Sequence, residues 1–263
     1  MNADRTSTAS GSLRAGAKIA VLVLVSAMMM PLQWLVLRIT KGPRAFVLPR
    51  LWHRCLCAAF GIEAQVVGRP RTAARTLYVG NHISHFDILL LGSLLDARFI
   101  AKNDMEQWPG MRFMGSLGQT LFISRRARDA TKVASTLTEQ MRSNNNLILF
   151  AEGTTSSGVA VAPFKSSLFS LFMDGRVDDG AWTVQPFTLA IVAVDGKPLS
   201  AGGERDDYAF YGDMEAGAHV QRFLRLSGAR VRVVFHAPMT IPPETDRKAL
   251  AAQLHAVVAS GLS

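Results

Sequence analysis

Two apolar runs flank the polar stretch Asn81-His82-Ile83-Ser84-His85-Phe86-Asp87: Thr76-Leu77-Tyr78-Val79 before it and Ile88-Leu89-Leu90-Leu91 after it. The first run predicts a buried strand and the second a buried helix, so the polar stretch forms the bend between them. On a continuous helix His82 and Asp87, five residues apart, would point about 140° away from each other. If His82 lies on the bend and Asp87 in the first helical turn, imidazole and carboxylate can meet as a base and its orienting acid.

The same stretch also fits a purely structural interpretation. Ser84 and Asp87 have the spacing of a capping box ahead of an apolar run, which alone would explain both residues. The stretch by itself supports a helix cap and a catalytic pair equally. The rest of the chain has to distinguish them.

The N-terminal part of the chain predicts an attachment to a membrane. Residues 1–18 are rich in Ser, Ala and Gly and predict disorder, and the apolar run from Ile19 to Leu37 has the length of a short membrane span. Pro31 lies within that run and can kink it, so spanning the bilayer and dipping into one leaflet both stay open. We expect residues 19–60 to form the membrane-anchoring helical segment and residues 61–263 the main domain.

The charge of the chain supports the same interpretation. The net charge is +9 and 49% of the residues are hydrophobic, a combination that indicates an anionic membrane surface. More basic residues follow the apolar run (Arg38, Lys41, Arg44, Arg50, Arg54) than precede it (Arg5, Arg14, Lys18). This asymmetry predicts that the main domain lies on the cytoplasmic side of the inner membrane.

Strand and helix patterns alternate through the rest of the chain, without repeats or a clear linker. A helix is predicted over residues 127–142, between strands at Leu121-Phe122-Ile123 and Leu147-Ile148-Leu149-Phe150. We therefore expect a single α/β domain with a mixed, largely parallel central sheet flanked by helices. Polar loops follow both of these strands, and ligands bind at such strand ends in open α/β sheets.

Four short blocks now resemble, in order, those of the glycerolipid acyltransferase superfamily, which includes the 1-acylglycerol-3-phosphate acyltransferases. They are the His-x-x-x-x-Asp block at residues 81–87, Phe122-Ile123-Ser124-Arg125, Phe150-Ala151-Glu152-Gly153-Thr154 and, more loosely, Val184-Gln185-Pro186-Phe187. The resemblance covers roughly residues 60–240. It implies that a membrane-bound enzyme transfers a fatty acyl group from a thioester, carried by acyl carrier protein or coenzyme A, to the hydroxyl of a lysolipid.

The resemblance also implies roles for individual residues. His82 removes the proton of the attacking hydroxyl, Asp87 orients the imidazole, and no acyl-enzyme is needed because the thioester is already activated. Arg125 meets the anionic head group of the acceptor. The substrate-binding candidates are Arg125, Glu152, Gly153, Thr154, Lys102 and Thr155, with Glu152 organising its loop and Gly153 permitting a tight turn whose N–H groups face an anion. His85 is expected to be structural.

The chain departs from the glycerol-phosphate acyltransferases at Thr155, where arginine commonly follows Glu-Gly-Thr. Losing that cation would remove a charge-assisted hydrogen bond worth about 1.5–3 kcal/mol from a phosphate site. Together with Pro163–Phe169 and Tyr211-Gly212-Asp213-Met214, this departure looks closer to the lyso-ornithine lipid acyltransferase branch, whose acceptor carries an amino-acid head group. Lysophosphatidic acid stays the alternative acceptor, and Lys165 is a candidate compensating cation.

Other classes of function find less support. A serine lipid hydrolase would carry a Gly-x-Ser-x-Gly elbow, which the chain lacks. His82, His85 and Asp87 are too few for a metal site, so we expect neither metal nor cofactor. No zinc-ligand pattern or aromatic-studded basic repeat indicates nucleic acid. A non-enzymatic lipid-binding protein at the membrane surface would explain the N-terminal segment, but not the polar blocks at strand ends.

Overall fold

The computed structural model of the chain describes residues 2–40, 42–102, 110–123, 135, 139, 145–169, 172, 182–242 and 245–262. The helices in these ranges are α1 (Asn2–Ile39), α2 (Val47–Phe60), α3 (Asp87–Leu94), α4 (Met111–Leu117), α5 (Ala216–Arg225) and α6 (Arg247–Ser260). The strands are β1 (Ile62–Val67), β2 (Thr76–Gly80), β3 (Ala97–Lys102), β4 (Leu121–Ile123), β5 (Asn146–Phe150), β6 (Trp182–Val194), β7 (Lys197–Pro198), β8 (Ala229–Phe235) and β9 (Met239–Ile241). The helix predicted over residues 127–142 lies almost entirely outside the described residues.

One sheet joins these strands in the order β1-β8-β6-β2-β5-β3-β4, with β7 and β9 paired to β6. The pairs β1–β8, β6–β2, β2–β5, β5–β3 and β3–β4 are parallel, whereas β6 runs antiparallel to β8, β7 and β9. The predicted mixed, largely parallel sheet is confirmed. Because β2, β5, β3 and β4 are mutually parallel, the loops after them leave the same edge of the sheet.

Both faces of the sheet are buried, which explains why its strands read as nearly continuous apolar runs. Alternate residues of β2 point to opposite sides: Tyr78 belongs to a core shared with α2, α3 and α5, and Leu77 and Val79 to a core shared with α6. Leu77, Tyr78 and Val79 are 1%, 2% and 0% exposed. The sheet is therefore a rigid base for the loops at its edge.

Helix α1 begins at Asn2 and continues through Pro31 to Ile39. Residues 2–18, for which the composition predicted disorder, are its first part. The buried side chain of Lys18 accounts for part of this difference, because it donates hydrogen bonds to the main-chain oxygens of Phe60 (2.9 Å) and Leu226 (2.8 Å). The division of the chain at residues 18 and 60 stays a prediction.

Helix α1 lies along the domain on one side only. Gly11, Lys18, Met29 and Gln33 are buried on that side, whereas Leu24, Met28, Leu32 and Leu35 are exposed on the other. Among the described residues, the stretch Ser10–Ile39 is long and apolar enough to cross a membrane, by length and composition, and 11% of its most apolar window is buried.

Candidate active site

The loop between β2 and α3 brings His82 and Asp87 together. His82 Nδ1 lies 2.8 Å from Asp87 Oδ2. The same carboxylate oxygen accepts the backbone N–H groups of Ile83 (2.7 Å) and Ser84 (2.9 Å). Asp87 is fully buried. The carboxylate is therefore fixed by its own loop before any substrate binds, in the arrangement of an orienting acid.

Only one of the two hydrogen bonds of the predicted capping box is present in this loop. The carboxylate of Asp87 reaches back to the N–H of Ser84, as in a capping box. The hydroxyl of Ser84 does not complete the box, since it accepts the N–H of Phe86 (3.3 Å) and helix α3 begins at Asp87 without a side-chain cap. Ser84 and Asp87 together shape the bend, and Asp87 still reaches His82.

The imidazole of His82 is held flat against Phe150 at the end of β5. The two ring centroids are 3.8 Å apart with an interplanar angle of 8°. The side chain of His82 is 16% exposed, and Nε2 has no hydrogen-bond partner among the residues that the structure describes. We assign the proton to Nδ1, because the Asp87 oxygen that it meets already accepts two backbone N–H groups. Nε2 is then the basic nitrogen, and it is the one without a partner.

Glu152 joins the loop after β5 to the loop after β2. One carboxylate oxygen accepts the N–H of His82 (2.8 Å) and the other the N–H of Ala162 (2.7 Å). Ser156 Oγ lies 3.3 Å from both oxygens, and Ser156 N–H donates to the main-chain oxygen of His82 (2.8 Å). Burial raises the pKa of Glu152, and these hydrogen bonds oppose the rise. Glu152 thus holds the backbone of His82 in place rather than meeting the reacting bond.

The structure corrects one expectation for the loop after β5. Gly153 does adopt a positive φ of 73°, as a tight turn requires. Its own N–H, however, donates to the main-chain oxygen of Phe150 (3.1 Å), so this N–H closes the turn and is not one of those that could face an anion. For the other N–H groups of the turn the expectation stays a prediction. Thr154 is exposed and Thr155 is partly exposed.

Two of the three predicted cations, Lys102 and Lys165, lie within the described residues. Lys102 is exposed at the end of β3, where it is in register with Ile123 of β4. Arg125 lies two residues after Ile123, outside the described residues. Lys165 is exposed, and its N–H donates to the main-chain oxygen of Ala151 (2.9 Å), which ties the Lys165 backbone to the Glu152 loop.

His85, the second histidine of the loop, belongs to an aromatic cluster. Its ring centroid is 4.5 Å from that of Phe86 and 5.0 Å from those of Phe210 and His219. Burial, followed by the nearby His219, lowers the pKa of His85 to about 4. His85 is therefore neutral near pH 7 and contributes packing to the wall of the site.

A third segment, Arg205–Tyr211, closes the site and was not predicted from the sequence. Phe210 N–H donates to the main-chain oxygen of Ile83 (2.9 Å), and Arg205 Nη1 donates to that of Gly158 (3.2 Å). Tyr208 donates its hydroxyl hydrogen bond to Asp87 Oδ1 (3.2 Å). No local signal marks Tyr208, because it follows a charged turn and meets a residue 121 positions away.

The described residues contain no group of three His, Cys, Asp or Glu side chains that could hold a metal ion. The loop after β2 instead brings one base together with its orienting carboxylate at the edge of a parallel sheet, and the exposed Lys102 ends a strand at that edge. Such a set can deprotonate a hydroxyl and place an anionic group beside it.

Comparisons with known proteins agree with this geometry. The sequence model of the Acyltransferase family matches residues 64–190, which contain both the His82–Asp87 loop and the Glu152 loop. A lyso-ornithine lipid O-acyltransferase from Brucella abortus is 33% identical over 244 residues, covering 92% of this chain and 91% of that protein. The chain belongs to the glycerolipid acyltransferase superfamily.

Two further comparisons give a more distant relative and a solved structure with the same fold. A 1-acyl-sn-glycerol-3-phosphate acyltransferase from Neisseria meningitidis is 29% identical over 200 residues, covering 75% of this chain and 73% of that protein. The crystal structure of a 1-acyl-sn-glycerophosphate acyltransferase from Thermotoga maritima has the same fold, with a TM-score of 0.64 at 15% identity and 95% of each chain covered. The predicted superfamily, its α/β fold and the resemblance to the lyso-ornithine lipid branch are confirmed.

Proposed function

We propose that this acyltransferase moves a fatty acyl group from an acyl thioester to the hydroxyl of lyso-ornithine lipid. The observation that carries the reaction type is the contact between His82 and Asp87, in a loop fixed by backbone hydrogen bonds at the edge of the sheet. The acceptor is supported by similarity to the protein named lyso-ornithine lipid O-acyltransferase.

The two ring nitrogens of His82 have different roles in the proposed acyl transfer. Nδ1–H donates to Asp87. Nε2, which meets no partner among the described residues, therefore takes the proton of the acceptor hydroxyl as the hydroxyl oxygen attacks the thioester carbonyl carbon. Asp87 stabilises the imidazolium that forms. When the tetrahedral intermediate collapses, the carbon–sulfur bond breaks and the imidazolium returns the proton to the leaving thiolate. The products are an ester and a free thiol, without an acyl-enzyme, a metal or a cofactor.

Thr155 is the residue that favours an amino-acid head group over a phosphate. It stands where an arginine would add a cation to a phosphate site, and it is only partly exposed beside the catalytic loops. Arg125, Lys102 and Lys165 are the cations left to meet an acidic head group, and a carboxylate demands less charge than a phosphate dianion. The alternative acceptor is 1-acyl-sn-glycerol-3-phosphate, which the similarity to the Neisseria protein supports.

The acceptor experiment offers one labelled acyl thioester to membranes that contain the protein, with either lyso-ornithine lipid or lysophosphatidic acid. We expect transfer to lyso-ornithine lipid, and parallel reactions with acyl carrier protein and coenzyme A thioesters identify the donor. His82→Gln keeps a similar side-chain volume but has no base, so it should abolish transfer while the protein remains folded. A strong preference for lysophosphatidic acid would refute the acceptor, and an active His82→Gln variant would refute the mechanism.

Helix α1 supports attachment to one leaflet of the inner membrane. Lys18 and Gln33 are separated by about 22 Å of helix, and both donate to main-chain oxygens of the domain, Gln33 to Ala45 (3.0 Å) and Leu117 (3.1 Å). Trp52 Nε1 also donates to Ser26 between them (3.0 Å). A helix bound to its domain over that length cannot cross the hydrocarbon core without drawing the domain in with it.

The surface opposite these contacts is suited to lipid. Exposed apolar side chains of α1 continue onto Val47 and Leu51 of α2 and onto Phe113 and Met114 of α4. A shallow apolar groove of about 450 Å³ lies between α1 and α4, lined by Ser26, Ala27, Met30, Pro31, Trp34 and Phe113. The positive charges after α1 fit the anionic cytoplasmic surface of the inner membrane.

Binding to vesicles that contain anionic lipid tests this attachment. Leu24→Lys and Met28→Lys place charges on the exposed face of α1 and should weaken binding. Val66→Lys is the control, because Val66 is also exposed and apolar but lies on strand β1. Equal binding by all variants would refute the attachment through α1.

A further inference from the structure

We propose that Tyr208 is a positioning residue of the catalytic pair, whose hydroxyl holds Asp87 in the orientation that His82 requires. This inference rests on the proposed function, because it assigns Tyr208 a role in the same proton transfer. Tyr208 touches neither substrate nor the reacting atoms, since it is fully buried. Its effect on the reaction passes through Asp87.

The two oxygens of Asp87 are held in different ways. Oδ2 accepts three hydrogen bonds, from His82 Nδ1 and from the N–H groups of Ile83 and Ser84. Oδ1 accepts one, from Tyr208, and has no other partner among the described residues. Without that hydroxyl, Oδ1 of a fully buried carboxylate would lose its hydrogen bond. Rotation of the carboxylate about the Cβ–Cγ bond of Asp87 would then be restrained only by the hydrogen bonds to Oδ2.

Backbone hydrogen bonds and ring packing together fix the position of the Tyr208 hydroxyl. Tyr208 directly follows the turn Arg205–Asp207, and its N–H donates to the main-chain oxygen of Arg205 (3.0 Å). Two residues later, Phe210 N–H donates to Ile83, inside the catalytic loop. The phenol ring packs against the pair formed by Phe86 and Phe223, with its centroid 5.8 Å from that of each ring. Backbone and ring together aim the hydroxyl at Asp87.

The hydroxyl remains a donor near neutral pH. Burial, with a further contribution from the negative charge of Asp87, raises the pKa of Tyr208 well above its usual range. The phenol therefore keeps its proton, and a neutral O–H donor next to the carboxylate shares its negative charge.

The chain offers a matched control in Tyr78. Its side chain is also buried, and its hydroxyl also donates one hydrogen bond, but to the main-chain oxygen of Arg71 rather than to Asp87. Burial raises the pKa of Tyr78 to about 12, so it too is a protonated donor. Tyr208→Phe and Tyr78→Phe each remove one buried hydroxyl and keep the ring, and only the first change reaches the catalytic pair.

The experiment measures kcat, KM for donor and acceptor, and thermal unfolding for wild type, Tyr208→Phe and Tyr78→Phe. We expect Tyr208→Phe to lower kcat about tenfold or more with both KM values nearly unchanged, because misorientation of a catalytic group affects the chemical step. Its loss of thermal stability should be similar to that of Tyr78→Phe, which should keep the wild-type kcat.

The pH dependence adds a readout that a merely structural tyrosine would not move. Loss of the hydroxyl leaves more negative charge on Asp87, which favours the imidazolium, so the acidic limb of the pH–rate profile should move to higher pH. Among the described residues, the other titratable groups that act on His82 besides Asp87 are Glu152 and His85, and both are unchanged in the two variants.

The outcomes are separable. If Tyr208→Phe keeps the wild-type kcat and pH profile, or if Tyr78→Phe loses as much kcat, the role of Tyr208 is refuted while the proposed function stands. If the wild-type protein transfers no acyl group to any lysolipid, both proposals fail together.

Discussion

Replacing Asp87 by Asn tests how the catalytic pair is built. In a Ser-His-Asp triad an asparagine at the acid position gives the wrong imidazole tautomer, at a cost of about 10⁴ in kcat. We expect a smaller loss here. Ile83 N–H and Ser84 N–H both point at the position of Oδ2, 2.7 and 2.9 Å away, so they select the oxygen of the asparagine for that position. That oxygen still accepts Nδ1–H of His82, and Nε2 stays the base.

What Asp87→Asn removes is the negative charge. His82 Nδ1 and Asp87 Oδ2 are 2.8 Å apart, which places the centres of the two charges at roughly 4 Å. At an effective dielectric constant of about 20, unit charges at this distance attract by about 4 kcal/mol. Each 1.4 kcal/mol is about tenfold in rate, and the imidazolium is only partly formed in the transition state, so kcat should fall by about 10²–10³.

The assay follows release of the free thiol from the acyl thioester at saturating acceptor, with thermal unfolding measured on the same preparations. Asp246→Asn is the matched control, because Asp246 also accepts two backbone N–H groups at the start of a helix, far along the chain. It should keep full activity. A fall in kcat of about 10⁴ or more for Asp87→Asn would mean that the backbone N–H groups do not place the asparagine oxygen at the Oδ2 position. A fall below about tenfold would mean that the negative charge of Asp87 does not stabilise the imidazolium.

Three further substitutions test the surrounding loops. Glu152→Gln leaves one backbone N–H facing an amide donor and should lower the free energy of unfolding by about 1.5–3 kcal/mol. Burial raises the pKa of Glu152, so its protonated form stabilises the wild type at low pH and this contribution is lost as pH rises through the folded pKa. Urea unfolding over a pH series should show this fall for the wild type and not for Glu152→Gln. Thr155→Arg should shift acceptor preference about tenfold or more towards lysophosphatidic acid, and an unchanged ratio in competition assays would mean that position 155 does not read the head group. Gly158→Ala should lower kcat, because the new Cβ would lie 2.8 Å from Ile83 Cγ2 and would push the loop that carries His82. Gly202→Ala is the control, since Gly202 has a similar positive φ and nothing within 4 Å of the new Cβ. Equal rates for the two variants would mean that displacement of Ile83 does not affect the reaction.

The parts of this molecule that were predicted from sequence depend on local patterns. An apolar run followed by polar residues marks a strand and its loop, so the strands of the sheet and the edge at which their loops leave follow from the pattern. The contact between His82 and Asp87 is also local, because six consecutive residues contain both partners and the bend between them. The expectation that Glu152 organises its loop came from the resemblance of residues 150–154 to an acyltransferase block.

The parts that escaped prediction depend on contacts between distant residues. Tyr208 meets Asp87 across 121 positions, and nothing in its neighbours distinguishes it from a surface tyrosine in a charged loop. Residues 2–18 are rich in Ser, Ala and Gly, yet they are helical, with Lys18 tied to two carbonyls that come from elsewhere in the chain. The turn at Gly153 was expected to present N–H groups to an anion, and the N–H of Gly153 itself closes the turn instead.

These contacts explain why the catalytic loop should be sensitive to changes far outside its sequence. The backbone of His82 is held by Glu152 and Ser156, the backbone of Ile83 by Phe210, and the carboxylate of Asp87 by Tyr208. Misplacing a catalytic group by about 1 Å can cost about 10² in rate, so each of these restraints acts on kcat before it acts on substrate binding. Substitutions that loosen the segment around Tyr208 should therefore lower kcat, whereas substitutions of the exposed cations Lys102 and Lys165 should raise KM for an acidic acceptor. A fall in kcat therefore identifies residues that position the catalytic base, and a rise in KM identifies residues that bind the lipid head group.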